Sequence, residues 1–155
     1  MWKMTHFTRV VVATLLSISF AKIVNAEPTA TLTVVVNGIN NQKGEICMGV
    51  YSRAKSFPLS TNDVITSACV PNKGSNLIHN FSGLKPGNYA VAVVDDQNGD
   101  RKLNKDFFGI PKEGFGISRN PTVSIVTGTP NFHDASILLR QNTKINILMK
   151  YSLDS

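Results

Sequence analysis

Apolar residues recur at every second position through most of this chain, and that period constrains the fold more than any other feature. Leu32, Val34 and Val36 alternate with Thr31, Thr33 and Val35 before Asn37-Gly38 marks a turn. Ile46, Met48 and Val50 repeat the pattern after Lys43-Gly44. Tyr89, Val91 and Val93 alternate with Ala90, Ala92 and Val94. Weaker runs cover Val64 to Val70, Leu77 to Phe81, Ile137 to Leu139 and Ile145 to Met149. Thr122 to Val126 reads either as a short strand or as loop. Successive side chains of a strand point to opposite faces, so a period of two buries one face. No segment carries a capped helical stripe, although Thr61-Asn62-Asp63 suits a single helical turn near Ser60 to Val64. The expectation is an all-β domain: an antiparallel β-sandwich of about seven strands with one long loop.

The N-terminus reads differently. Lys3 and Arg9 precede an apolar run from Val10 to Ala21, and Val24-Asn25-Ala26 forms a small-residue cleavage site. Residues 1–26 are therefore expected to be a signal peptide, and 27–155 a single domain. The apolar run is short for a bilayer span, and no second run reaches that length. No membrane insertion of the mature chain is expected, and localisation is periplasmic or extracellular. The formal charge of +6 falls by three once Lys3, Arg9 and Lys22 leave. The remaining bases are scattered, which argues against a nucleic-acid partner.

Cys47 and Cys69 are the two cysteines. Export favours pairing them, and a link across that spacing would contribute about 3 kcal/mol by constraining the unfolded chain. Two separate buried thiols are the alternative. His79 and His133 with the two cysteines make no zinc-like spacing. His133 and Asp134 would point to opposite faces of a strand, so they make no acid–base pair. No serine sits in a G-x-S-x-G elbow.

The long loop, VDDQNGDRKLNKDFFGIPKEGFGISRNP over 94–121, is where function is expected. Its acidic half has two readings. Asp96, Asn98 and Asp100 stand at alternate positions, as oxygen ligands do at the start of a calcium loop. However, Arg101 replaces the usual glycine and Phe107 the bidentate carboxylate, with Asp106 one place short. The other reading is a self-bonded Asx turn, with no cofactor. The second half brings Phe107, Phe108 and Phe115 between glycines and Pro111. One reading has Phe107 or Phe108 covering an open end of the sandwich. The other is an aromatic-lined recess for an unknown protein or small ligand, with Glu113, Arg119 and Asn120 as polar handles.

YAVAVVDDQNGDRKL over 89–103, FGIPKEGFGIS over 108–118 and PNFHDA over 130–135 resemble the DUF2141 family of secreted bacterial proteins. The family pattern resembles Y-x-x-x-x-x-H-D-x-N-x-N-x-x-L followed by F-G-x-P-x-E-G-x-G-F-S. The similarity covers most of residues 30–151. Here Asp95 stands where His is frequent, Asp100 where Asn is, and Ile117 where Phe is. The resemblance implies a transthyretin-like sandwich and no established activity. A non-catalytic binding or structural module is thus expected. A calcium-stabilised module and a hydrolase are the alternatives. The chain ends Tyr151-Ser152-Leu153-Asp154-Ser155, without the Y-R-G-S signature of transthyretin-like hydroxyisourate hydrolases.

Overall fold

The computed structural model describes residues 27–55, 57–58 and 63–154. The expected signal peptide lies outside the described residues, as does most of the expected turn near Ser60. Asp63 is in a turn and Val64 already begins a strand.

Eight strands and one helical turn form within the described residues. They are β1 (Ala30–Asn37), β2 (Glu45–Tyr51), β3 (Val64–Pro71), β4 (Leu77–Leu84), β5 (Gly87–Asp96), β6 (Phe115–Ile117), α1 (Phe132–Ala135), β7 (Ile137–Leu139) and β8 (Thr143–Leu148). One sheet has the order β4-β1-β8. The other has the order β3-β2-β5-β6, and β7 also pairs with β5. The all-β sandwich expectation holds, with one correction. β1 and β8 run parallel, from Leu32 beside Thr143 to Asn37 beside Leu148. β8 follows β7 of the other sheet, so the chain crosses between sheets and need not reverse as in a hairpin.

The alternating residues supply the core. Leu32, Val34, Val36, Phe81 and Ile147 from the first sheet meet Ile46, Met48, Val50, Val91, Val93 and Leu139 from the second. Each of these large side chains contributes about 1.5–3 kcal/mol on full burial. Cys47 and Cys69 face each other across β2 and β3 and are disulfide-bonded, with Cα atoms 4.0 Å apart.

The outer face of β5 is covered too. Ala90 packs with Ile117 and Ala135, flanked by Phe57 and Phe132. The turn α1, N-capped by the Asn131 side chain, presents Ala135 to this layer. His133 and Asp134 thus lie on a helical turn, not on the strand that the alternation argument assumed. Thr122 to Val126 is loop, not strand.

The two sheets are joined along one edge. Met149 N donates to Asn37 O of the first sheet (2.8 Å), while Lys150 exchanges backbone hydrogen bonds with Phe115 of the second (2.7 and 2.9 Å). That crossing requires small residues in β6. A Cβ on Gly116 would lie 2.7 Å from Ile147 Cγ2 and 3.2 Å from Leu148 O. One on Gly114 would lie 2.5 Å from the Tyr151 ring. Gly116→Ala is expected to destabilise the fold by about 1–3 kcal/mol, through overpacking against the fully buried Ile147 side chain and the Leu148 carbonyl. Urea unfolding measures this, and an unchanged midpoint would mean that β6 and β8 are not closely apposed.

Candidate functional site

β5 ends in two adjacent carboxylates, Asp95 and Asp96, both with no accessible surface. Strand alternation turns Asp95 toward the interior. Its Oδ1 accepts from Asn72 Nδ2 (3.1 Å), and its Oδ2 from the Tyr151 hydroxyl (2.7 Å) and from Asn41 Nδ2. One carboxylate thereby ties the β1–β2 loop, the β3–β4 loop and the C-terminal segment to β5. The Tyr151 oxygen also accepts from Asn40 N (3.2 Å). Burial, with the Asp95 hydrogen bond and charge adding to it, pushes the Tyr151 phenol up to about 12.

Asp96 points the other way, into the long loop. Its Oδ1 accepts from Gly99 N (2.8 Å) and its Oδ2 from Arg101 N (2.7 Å). Arg101 adopts φ +58°, which lets its N–H turn back on Asp96. Asn98 and Asp100 bond to each other and to Asn104, and Asp100 Oδ1 accepts from Lys102 N. The Asn104 amide, followed by the Lys102 N–H, holds the Asp100 carboxyl below its usual range. Asp96, Asn98 and Asp100, the residues with calcium-loop spacing, thus form an Asx-type turn closed by its own hydrogen bonds. Among the described residues, the clustered metal-type ligand atoms are those of Glu45, Cys47 and Cys69, and both sulfurs are in the disulfide.

Glu113 is buried and braces this turn from the far end of the loop. Its Oε1 accepts from Gln97 N (3.1 Å) and its Oε2 from Asn104 N (3.0 Å). Both oxygens serve the backbone, so Glu113 is no handle in a recess. Arg119 and Asn120 also sit elsewhere, at the end of β6, with φ +67° and +47°. Asn120 bridges to β8 through Leu148 N (2.8 Å) and Asn146 O (3.3 Å), and Arg119 Nη1 donates to His133 O (3.4 Å).

The aromatic half forms a finger. Asp106 organises its tip: its N donates to Ile110 O, and its Oδ1 accepts from Phe108 N (2.9 Å) and Ile110 N (2.8 Å). Gly109 takes φ +79° to complete the turn. This local hairpin projects the two phenyl groups outward. Phe107 is 97% and Phe108 83% exposed, with ring centroids 5.6 Å apart. The expectation that one of them covers the sandwich is therefore corrected.

Between this finger and the segment 121–130 lies an apolar cavity of about 250 Å³. Ala92 and Val94 of β5 and the buried Phe115 and Ile117 of β6 make its floor. Leu103, Phe108, Ile110 and Pro111 line one wall. Val123, Ile125 and Pro130 line the opposite wall, with Leu153 and Pro58 also contributing. That second wall is pinned at its base. Asp154 accepts from Val123 N (2.8 Å) and pairs with Lys150 (2.5 Å), whose Nζ also donates to Pro121 O (3.1 Å). Lys150, then the Val123 N–H, holds the Asp154 carboxyl below its usual value. Lys105 is the charged residue of the lining.

Of the residues expected to bind a ligand, Phe108 and Phe115 line the recess, and Phe107 lies outside its lining. The Asp95 network and the second wall were missed. One signal was readable: Tyr89 to Val94 is apolar at every position, as in a strand covered on both faces. The polar partners Asn41 and Asn72 give no signal, because loop asparagines are ordinary.

These features define a two-sheet, all-β domain with an apolar recess framed by two ordered arms. The chain belongs to the DUF2141 family, described as an uncharacterized protein conserved in bacteria, whose profile matches residues 34–146. Comparison with curated proteins and with solved structures yields no match.

Tyr151→Phe is expected to cost about 1–3 kcal/mol at neutral pH, by leaving Asp95 one donor short and Asn40 N without its acceptor. The wild-type contribution should be complete below pH 10 and decline between pH 10 and about 12, because the folded phenol resists ionising. Urea unfolding across that range checks this. Parallel losses in wild type and variant would contradict the Asp95–Tyr151 account.

Proposed function

We propose that this protein is an exported, non-catalytic binding module, which holds an apolar ligand or partner group in the recess between the 94–121 loop and the 121–130 segment. The observation that carries this reading is the recess itself: an apolar floor with Ala92 and Val94 of β5, walled by two arms that are each held by hydrogen bonds of their own. Concave sites pair such apolar walls with few polar groups. The Phe108 ring at the recess sits on a hydrogen-bonded tip, which suits recognition better than a frayed loop would. Export is supported by the disulfide and by the N-terminal leader pattern. No helix among the described residues is long and apolar enough to cross a membrane. A transthyretin-like class of sandwich is part of the reading and rests on the motif resemblance.

Two features support a non-catalytic role. The buried carboxylates Asp95, Asp96 and Glu113 spend their oxygens on structural donors. The recess lining offers Lys105, Ser124 and Thr129 as its polar side chains, and it includes no histidine or carboxylate among the described residues.

Titration with the neutral fluorophore N-phenylnaphthylamine tests the recess. Wild type should bind it saturably at one site. Ala92→Phe, which fills the floor, should weaken binding at least about tenfold, the scale of a lost contact of about 1.4 kcal/mol. Phe107→Ser should leave it unchanged. Absence of saturable binding to wild type would overturn the proposal. The self-bonded turn at Asp96 to Asp100 also predicts the same melting temperature in calcium and in chelator. A rise in calcium would instead favour the calcium-stabilised reading.

A further inference from the structure

We propose that the two arms form a membrane-docking face for anionic lipid, with the tip side chains entering the bilayer interface and the recess accepting one acyl chain. This rests on the reading of the recess as a binding site and names its ligand class. The recess alone does not account for the apolar side chains around it. Phe107 and Val126 lie outside the lining, yet they are 97% and 95% exposed. With Phe108 and Ile125 they are the four most exposed large hydrophobic residues among those described. The others, such as Ile65, Ile78 and Leu138, are scattered over separate strands. Phe108 and Ile125 both line the cavity from opposite arms, which places the two tips on either side of one mouth. High exposure of four large apolar groups on the two arms is unfavourable in water and favourable in an interface.

The charge distribution selects the lipid. The loop carries Arg101, Lys102, Lys105 and Lys112, all exposed. Its acids outside the buried set are engaged in hydrogen bonds of the loop itself: Asp106 caps the tip, and the exposed Asp100 is bonded to Asn98, Asn104 and Lys102 N. The opposite arm, residues 121–131, has no charged residue. Lys105, on the recess lining, forms no ion pair with a described residue. An apolar mouth with Lys105 in its lining, on a loop that exposes three further cations, matches an acyl chain below an anionic headgroup. A cavity of about 250 Å³ suits a narrow chain, since drug-sized ligands occupy roughly 300–1,000 Å³. The contact is made by side chains at the interface, without a spanning segment.

The test uses residues 27–155, which hold every described strand and the described core; the apolar run at 10–21 would itself bind lipid. Co-sedimentation with vesicles of phosphatidylcholine, with and without phosphatidylglycerol, should show binding that needs the anionic lipid and falls with salt. The double variant Phe107→Ser, Val126→Ser should lose at least about tenfold in vesicle binding. It should keep wild-type affinity for N-phenylnaphthylamine and an unchanged melting temperature. Lys105→Glu should lose about tenfold on the anionic vesicles. Wild-type chain that binds the fluorophore but not the vesicles would overturn membrane docking and leave the recess with a free ligand or a protein partner. A double variant that binds vesicles like wild type would overturn it as well. Failure of wild type to bind either would overturn both this proposal and the recess reading.

Discussion

Asp95 and Asp96 are neighbours on β5, both fully buried, and none of the groups that donate to them is charged. A buried carboxylate without partners is costly enough to unfold a small domain. Here neutral donors satisfy both, and no buried side-chain polar atom of the described residues lacks a partner. Satisfying them dictates where four separate stretches of chain go. Asp95 needs Asn41, Asn72 and Tyr151, so two loops and the C-terminal segment converge on the end of β5. Asp96 needs the N–H groups of Gly99 and Arg101, so the long loop must curl immediately on leaving the strand. Glu113 then repeats the device from the loop's far end.

The recess follows from that arrangement. With the acidic half of the loop closed on itself, the finger from Leu103 to Pro111 is held off the sheet. The outer face of β5 is left half covered, by α1 at Ala90 and by nothing directly at Ala92 and Val94. The opposite arm is anchored to the C-terminal segment by Asp154 and Lys150. The same C-terminal segment crosses β6 at Gly116 and joins the sheets. Fold closure and site construction therefore share one stretch of chain, from Ile147 to Asp154.

Strands that bury one face and expose the other were legible as alternation, and β1, β2 and β5 fall where that period puts them. β6 was not legible. It is three residues long with a glycine at its centre, too short to display a period, and it exists because Lys150 and β5 offer it partners. The parallel pairing of β8 with β1 was equally hidden, since alternation reports a face and not a direction. For Phe107 and Phe108, hydrophobicity argued for burial. The hydrogen bonds of Asp106 prevail, because they fix a hairpin tip that leaves both rings largely exposed.

By itself the sequence determined the class of fold and the capacity for one disulfide, because these depend on residue type and spacing along the chain. It also carried the family resemblance in its Phe-Gly-Ile-Pro and Asp-Gln-Asn-Gly segments. Only the tertiary structure decided the rest: that Glu113 and Asn120 brace the frame, that Asp95 gathers three distant segments, and that Ala92, Phe108 and Ile125 face one cavity. Those relations join residues tens of positions apart, and a hydrogen bond or a shared wall depends on distance in space, which local sequence does not encode.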